Sequence, residues 1–365
     1  MQFDNSQIFE YKTDWVEYFN KILQNINRDK INNQNKIKSN IIESNQTLKL
    51  FLRKYDNIKY IKSKEKDFHN AIVTKNGKKN YLYIDTANER FWVIHNVSKQ
   101  ETMKGIIDEF RNSYMQDSIY LTHNKMQEHQ NDLDVDSLGF TLKFEQKFDE
   151  YPALPVFKNL QPMDQIGFTM QLWPKNKKVI HQFIDKFRKI DLPINYRSLN
   201  FVFTDKESEE VLIKENLYYD GAFTVHRGRD FREHLDFVEA IKSDYSKEMK
   251  IIEDARVNWK EMSGSIYKIE FNIEINPRNF IKIINQLDEF KISVFFMYKS
   301  GSNHVCSCLD HHTGQKFYIQ IRSSAIEINL DKNTCGNTIF RIFTSLQRYF
   351  LNKLTFYIDN SKYEL

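Results

Sequence analysis

The sequence predicts an α+β protein. Repeated strand–helix–strand units form antiparallel or mixed sheets with helices on one face, ferredoxin-like or clamp-like, behind an N-terminal helical pair. Three observations predict it. Tyr267 to Ile275 alternate: Tyr267, Ile269, Phe271, Ile273 and Ile275 are apolar, and Lys268, Glu270, Asn272 and Glu274 are polar. Successive strand side chains point to opposite faces, so this is a strand with one wet side. Asn276-Pro277 then opens an amphipathic helix, since Asn caps and Pro suits the first turn. Its stripe is Phe280, Ile281, Ile283, Ile284, Leu287 and Phe290, and Ile292, Val294, Phe296 and Tyr298 restore the period of two.

Repetition is the third observation. Phe168, Pro174, Asn176, Ile180, Asp185 and Phe187 match Phe271, Pro277, Asn279, Ile283, Asp288 and Phe290 at a constant spacing of 103 (271 − 168). Phe91, Ile107, Asp108 and Phe110 match Phe168, Ile184, Asp185 and Phe187 in turn, 77 positions earlier (168 − 91). A different spacing, 237 (314 − 77), relates Gly77, Lys79, Tyr81 and Ile84 to Gly314, Lys316, Tyr318 and Ile321. By that match the first and last units share one plan: hairpin, strand, helix, strand.

Along the chain, Asp14 to Ile26 is amphipathic through Trp15, Val16, Phe19, Ile22, Leu23 and Ile26. Ile41 to Tyr55 is expected as a second helix on the strength of Leu48, Phe51 and Leu52. Strands follow at Ala71–Thr74, Tyr81–Ile84 and Phe91–Ile94, the first two joined by Asn76-Gly77, a strong hairpin signal. Leu138–Phe148 and Tyr218–Val225 read as strands, and Phe231 to Trp259 as a charged helix. Near the C-terminus the pattern gives strands at Cys306–Leu309, Lys316–Ile321, Ile326–Leu330 and Leu354–Ile358, with a helix over Asn337–Leu351. The expected division is 1–66, a basic helical appendage; 67–160, a first α+β unit; 161–262, a second with its charged helix; and 263–365, two further units.

Composition narrows the function classes. Aromatic residues make up 14% of the 365, while Gly (10) and Pro (6) are few, which favours regular structure over disorder. The net charge of +4 is uneven: residues 1–80 hold 16 Lys or Arg against 9 Asp or Glu, leaving −3 for the remainder. A basic leading segment suits an acidic or nucleic-acid partner, or is a solvated arm. Three cysteines give no disulfide framework, and no apolar run approaches the ~20 residues of a membrane span. A cytoplasmic protein with no membrane partner is expected.

The densest cationic spot after the N-terminal segment is His226-Arg227-Gly228-Arg229-Asp230, followed by Arg232 and His234. His226, Arg227, Arg229 and Arg232 are the candidate phosphate or nucleic-acid contacts, since guanidiniums grip phosphate bidentately. The competing reading is a surface turn whose arginines pair with Asp220, Asp230, Glu233 and Asp236. Cys306, Cys308, Asp310, His311 and His312 have metal-ligand chemistry, yet zinc sites space their cysteines wider and need a second ligand pair. No metal and no cofactor is therefore expected. Phosphate-binding, dinucleotide, serine-hydrolase and zincin motifs are all absent from the sequence. The expectation is a non-catalytic binding or scaffold subunit of a multi-protein assembly, such as a microbial defence or processing complex, with a protein partner and nucleic acid nearby. The alternative is an enzyme acting on nucleic acid or a phosphate ester around His226–Asp230.

Overall fold

A computed structural model describes residues 7–28, 36–132, 136–145, 147, 167–173, 193–205, 207–301 and 303–365. The fold is mixed α+β with antiparallel sheets, and the chain divides into two compact units. Unit 1 comprises 1–119, 134–138 and 199–246, and unit 2 comprises 120–133, 139–198 and 247–365. Among the described residues no helix is long and apolar enough to cross a membrane.

Unit 1 begins with α1 (Lys12–Arg28), β1 (Lys38–Ser44), α2 (Leu48–Leu52), β2 (Ile58–Lys62), β3 (Phe68–Lys75), β4 (Lys78–Asp85), β5 (Phe91–Asn96), α3 (Gln100–Arg111) and β6 (Gln116–Ser118). Asn76 and Gly77 close the β3–β4 hairpin with φ of 52° and 71°, the left-handed values that a two-residue turn needs. After α4 (His123–Asp132), β7 (Asp136–Glu145), β8 (Gly167–Leu172) and β9 (Ile194–Thr204), unit 1 resumes with β10 (Val211–Tyr218) and β11 (Ala222–Gly228). Its strands run β2-β3-β4-β5-β1-β11-β10-β9, and β6 lies beside the second half of β1.

The sheet of unit 1 is apolar on both sides. Leu82 and Ile84 pack with Phe51, Ile106 and Phe110 from α2 and α3. The intervening Tyr83 packs with Trp15, Phe19 and Phe231. Adjacent strand residues face opposite ways, so α1 covers the face that α2 and α3 leave bare. Helices thus lie on both faces here, not on one as expected. The expected N-terminal helical pair is also corrected. Lys38–Ser44 is a fully buried strand in the middle of the sheet, and only Leu48–Leu52 is helical. The sequence Lys-Ser-Asn-Ile-Ile-Glu-Ser hides this because its polar groups are partnered inside the fold, leaving no alternation to read.

The helix α5 (Phe231–Asp254) is followed in unit 2 by β12 (Tyr267–Glu270), α6 (Pro277–Gln286), β13 (Ile292–Ser300), β14 (Asn303–Asp310), β15 (Lys316–Ile321), β16 (Ala325–Leu330), α7 (Asn337–Tyr349), β17 (Thr355–Ile358) and β18 (Ser361–Tyr363). The order across the sheet is β13-β14-β15-β16-β12-β17-β18, and these neighbours pair antiparallel. Asn276 caps α6 by accepting from the Arg278 and Asn279 amides, with Pro277 in the first turn. β12 ends at Glu270, short of the expected Ile275, although the Phe271 and Ile275 amides still donate to Ser324 and Ser323. The expected strand Tyr218–Val225 is instead the β10–β11 turn with its flanks.

The two units repeat one eight-element plan. In unit 1 it is β1-α2-β2-β3-β4-β5-α3-β6, ordered in space β2-β3-β4-β5-β1-β6. In unit 2 it is β12-α6-β13-β14-β15-β16-α7-β17, ordered β13-β14-β15-β16-β12-β17. In each, a strand–helix–strand crossover straddles the first strand: β5-α3-β6 around β1, and β16-α7-β17 around β12. The spacing of 237 equates β4 with β15 and so follows this plan. The match of Phe91–Phe110 to Phe271–Phe290 does not, because it sets α3 against α6, whereas the plan pairs α3 with α7. The copy at Phe168–Phe187 lies, beyond Trp173, outside the described residues.

Candidate functional site

The turn singled out by sequence splits into two environments. Arg229 is neutralised: its guanidinium pairs with Glu210 and with Asp205 at 3.3 Å, and it also donates to Ser208. The Arg232 amide donates to Asp230 Oδ1, which opens α5, and its side chain is exposed. His226 and Arg227, by contrast, join Lys36, just ahead of β1, and Lys214 of β10. Arg227 lies opposite Lys214 across the β10–β11 ladder. His226 Nδ1 receives a hydrogen bond from the Lys36 ammonium at 2.6 Å. Burial, then the charges of Lys36 and Lys214, push the His226 imidazole down to about 4, so it is neutral and able to accept that bond.

Lys36 leads to Lys38. The ammonium of Lys38 donates to the carbonyls of Lys36 (3.0 Å) and Ser98 (2.5 Å). Burial, then Lys36, lowers Lys38 to about 8. Lys36 is lowered by burial and Lys214, and Lys214 by burial and Arg227. Crowded, partly desolvated cations of one sign are what a site for anions looks like before the anion arrives.

Ser98 forms part of the wall of an open cavity of about 500 Å³. Lys75, Lys78, Lys79 and Lys99 line it, with Tyr18, Tyr81 and Tyr83. Each element has a local reason to be there. The Asn76-Gly77 hairpin swings Lys75, Lys78 and Lys79 together, and α1 supplies Tyr18. Lys99 is the N-cap of α3 and makes no side-chain cap, so the first amides of a twelve-residue helix keep their partial positive charge. Lys75 sits 3.7 Å from Glu109. Among the described residues, no carboxylate lies within ion-pair distance of Lys78, Lys79 or Lys99, although Glu101 also borders the cavity. Sequence reasoning missed this basin because its lysines fall in a hairpin and a helix start well separated along the chain. The excess charge of residues 1–80 was the signal available.

A second constellation was not legible at all. Ser39 Oγ lies 2.7 Å from His95 Nδ1 and 2.6 Å from His234 Nε2, and His234 Nδ1 lies 2.5 Å from Glu215 Oε2. The spacing is that of a nucleophile, base and acid. All four side chains are buried to within 1% of complete, and Trp15 covers His95 with ring centres 4.8 Å apart. Burial holds His95 well below its ordinary value, and burial raises the Glu215 carboxyl. None of the four lines the basin. Sealed from substrate, the chain ties β1 to β5, β10 and α5.

In unit 2 the cysteine–histidine hairpin serves packing. Asp310 is buried in an ion pair with Arg341 and accepts from Thr338 at 2.8 Å. Burial raises the Cys306 thiol to about 11 and pushes Cys308 up as well. The His311 ring bonds Ser293 at 2.7 Å.

Comparison with known proteins adds a family. The MJECL33-like protein family model matches residues 5–363, so the chain belongs to that family. One relative is MJECL33 of Methanocaldococcus jannaschii, described as uncharacterized. It is 23% identical over 357 residues, covering 86% of this chain and 84% of the relative. No solved structure matches.

Proposed function

We propose that this member of the MJECL33-like family is a non-catalytic binding module whose first unit holds the phosphate chain of a single-stranded nucleic acid. The observation that carries the reading is the basin: three lysines that have no carboxylate partner among the described residues, an uncapped helix start and the half-buried Tyr18 and Tyr81 around one open cavity. Lysines track a phosphate backbone, and tyrosine rings accept unstacked bases of any sequence. The Lys36–Lys38–His226–Arg227 cluster extends the positive surface from Ser98. An enzyme centred on His226–Asp230 has less support, since His226 is neutral against Lys36 and Arg229 is already neutralised.

Fluorescence anisotropy with a labelled single-stranded oligonucleotide tests this. Lys78→Ala, Lys79→Ala and Lys99→Ala combined are expected to weaken binding at least tenfold. Arg229→Ala is expected to leave it unchanged. Equal binding by the triple variant and the wild type would contradict the proposal.

A further inference from the structure

The two copies of the eight-element plan each place one strand at the outer edge of the sheet, β2 in unit 1 and β13 in unit 2. They treat that edge differently. β2 reads Ile58-Lys-Tyr-Ile-Lys62, with lysines that deter pairing with another chain. β13 reads Ile292-Ser-Val-Phe-Phe-Met-Tyr-Lys-Ser300, and its last six residues are exposed. Phe295, Phe296, Met297 and Tyr298 are 58, 60, 37 and 49% exposed.

The register explains what these side chains share. Phe296 lies opposite Ser307, and Ser307 opposite Tyr318, so Phe296, Tyr298 and the 43% exposed Tyr318 stand on one face. The Phe296 and Tyr298 rings are 5.8 Å apart. A bulge interrupts β13 between Val294 and Phe296, but from Phe296 to Ser300 the pairing with β14 is regular. Among the described residues, the opposite side of that stretch has no strand beside it in the sheet.

We infer that this edge pairs with the same edge of a second copy of the chain. Antiparallel pairing about a two-fold axis at Tyr298 sets Phe296 against Ser300 and Met297 against Lys299. Lys299, the one charge on β13, then meets an apolar side chain and no like charge opposes it. A two-fold contact of identical edges is self-complementary and closes on itself. The size also fits. The five side chains leave roughly 500 Å² of apolar surface per copy in water, taking about 200 Å² for a whole aromatic side chain. A symmetric pair would then bury at most about 1,000 Å² of it, the size of a weak or transient interface.

Sedimentation velocity of the full chain at about 100 μM tests it. The expected species has twice the 43.9 kDa chain mass. Phe296→Lys combined with Tyr298→Lys is expected to weaken association at least tenfold and to keep the wild-type circular dichroism spectrum. Hydrogen exchange gives an independent reading: the amides of 296–300 that point away from β14 are protected in the wild type and lose that protection in the variant. A monomeric wild type, with the edge left for another protein's strand, would overturn the inference. So would a variant that remains dimeric.

Discussion

Lys38 carries the sharpest residue-level consequence. Its ammonium sits behind Ser98, and burial with Lys36 nearby brings it to about 8. A phosphate in the basin favours the charged form, so binding near pH 8 takes up protons. Calorimetric titrations with an oligonucleotide at pH 8, in two buffers of different ionisation enthalpy, are expected to show net proton uptake. Lys38→Met should remove most of it, and equal uptake by that variant would exclude Lys38 as the source.

Two histidines, the buried His95 and the half-buried His226, act on stability instead. His95 and His226 are both held below their ordinary value of 6.5, His226 at about 4. A base with a depressed folded value adds stability that is complete above its unfolded value and is lost as pH falls through the folded one. For His226 the window runs from about 6.5 down to about 4. The melting temperature should therefore drop between pH 7 and pH 5, and less steeply in His226→Asn. Identical slopes would contradict the assignment. Ser39→Ala removes the hydroxyl shared by two buried rings. A cost of about 2–4 kcal/mol is expected from two groups stripped of a partner, read by urea unfolding.

At the scale of elements, the β10–β11 turn shows how tightly β1 is held. Gly221 has φ +73°, its carbonyl accepts from the Ile41 amide at 3.0 Å, and a Cβ there would come within 2.4 Å of Ile119. Gly221→Ala should therefore destabilise by about 2 kcal/mol or more, combining left-handed strain with a clash. Asn276→Ala, which removes the α6 cap, should cost about 1 kcal/mol. The α6 cap, the Asn76-Gly77 hairpin and the α1 stripe were legible because each is a local signal with a fixed chemical grammar. β1 was not, since its polar residues are satisfied by His95, His234 and Arg90, which arrive from distant segments. The same applies to the basin: a hairpin, a helix start and α1 converge there only once the sheet has formed.

At the scale of the molecule, one plan has been used twice with different surfaces. Unit 1 covers both faces of its sheet and gathers Lys78, Lys79 and Lys99 around a cavity. Unit 2 keeps the plan but leaves an apolar edge at β13. Sequence reading found the repetition through Gly77 and Gly314, whose positive φ values of 71° and 68° demand glycine in both turns. It misjudged the helices because apolar helices of similar period match one another whether or not they are equivalent.

The salt dependence of single-strand binding tests the central claim most directly. Each phosphate contact contributes about −0.7 to the slope of log affinity against log salt for a single strand. Replacing Lys78, Lys79 and Lys99 together by alanine should therefore make the slope shallower by about 2. A variant whose slope equals that of the wild type would show that the basin does not hold the phosphate chain.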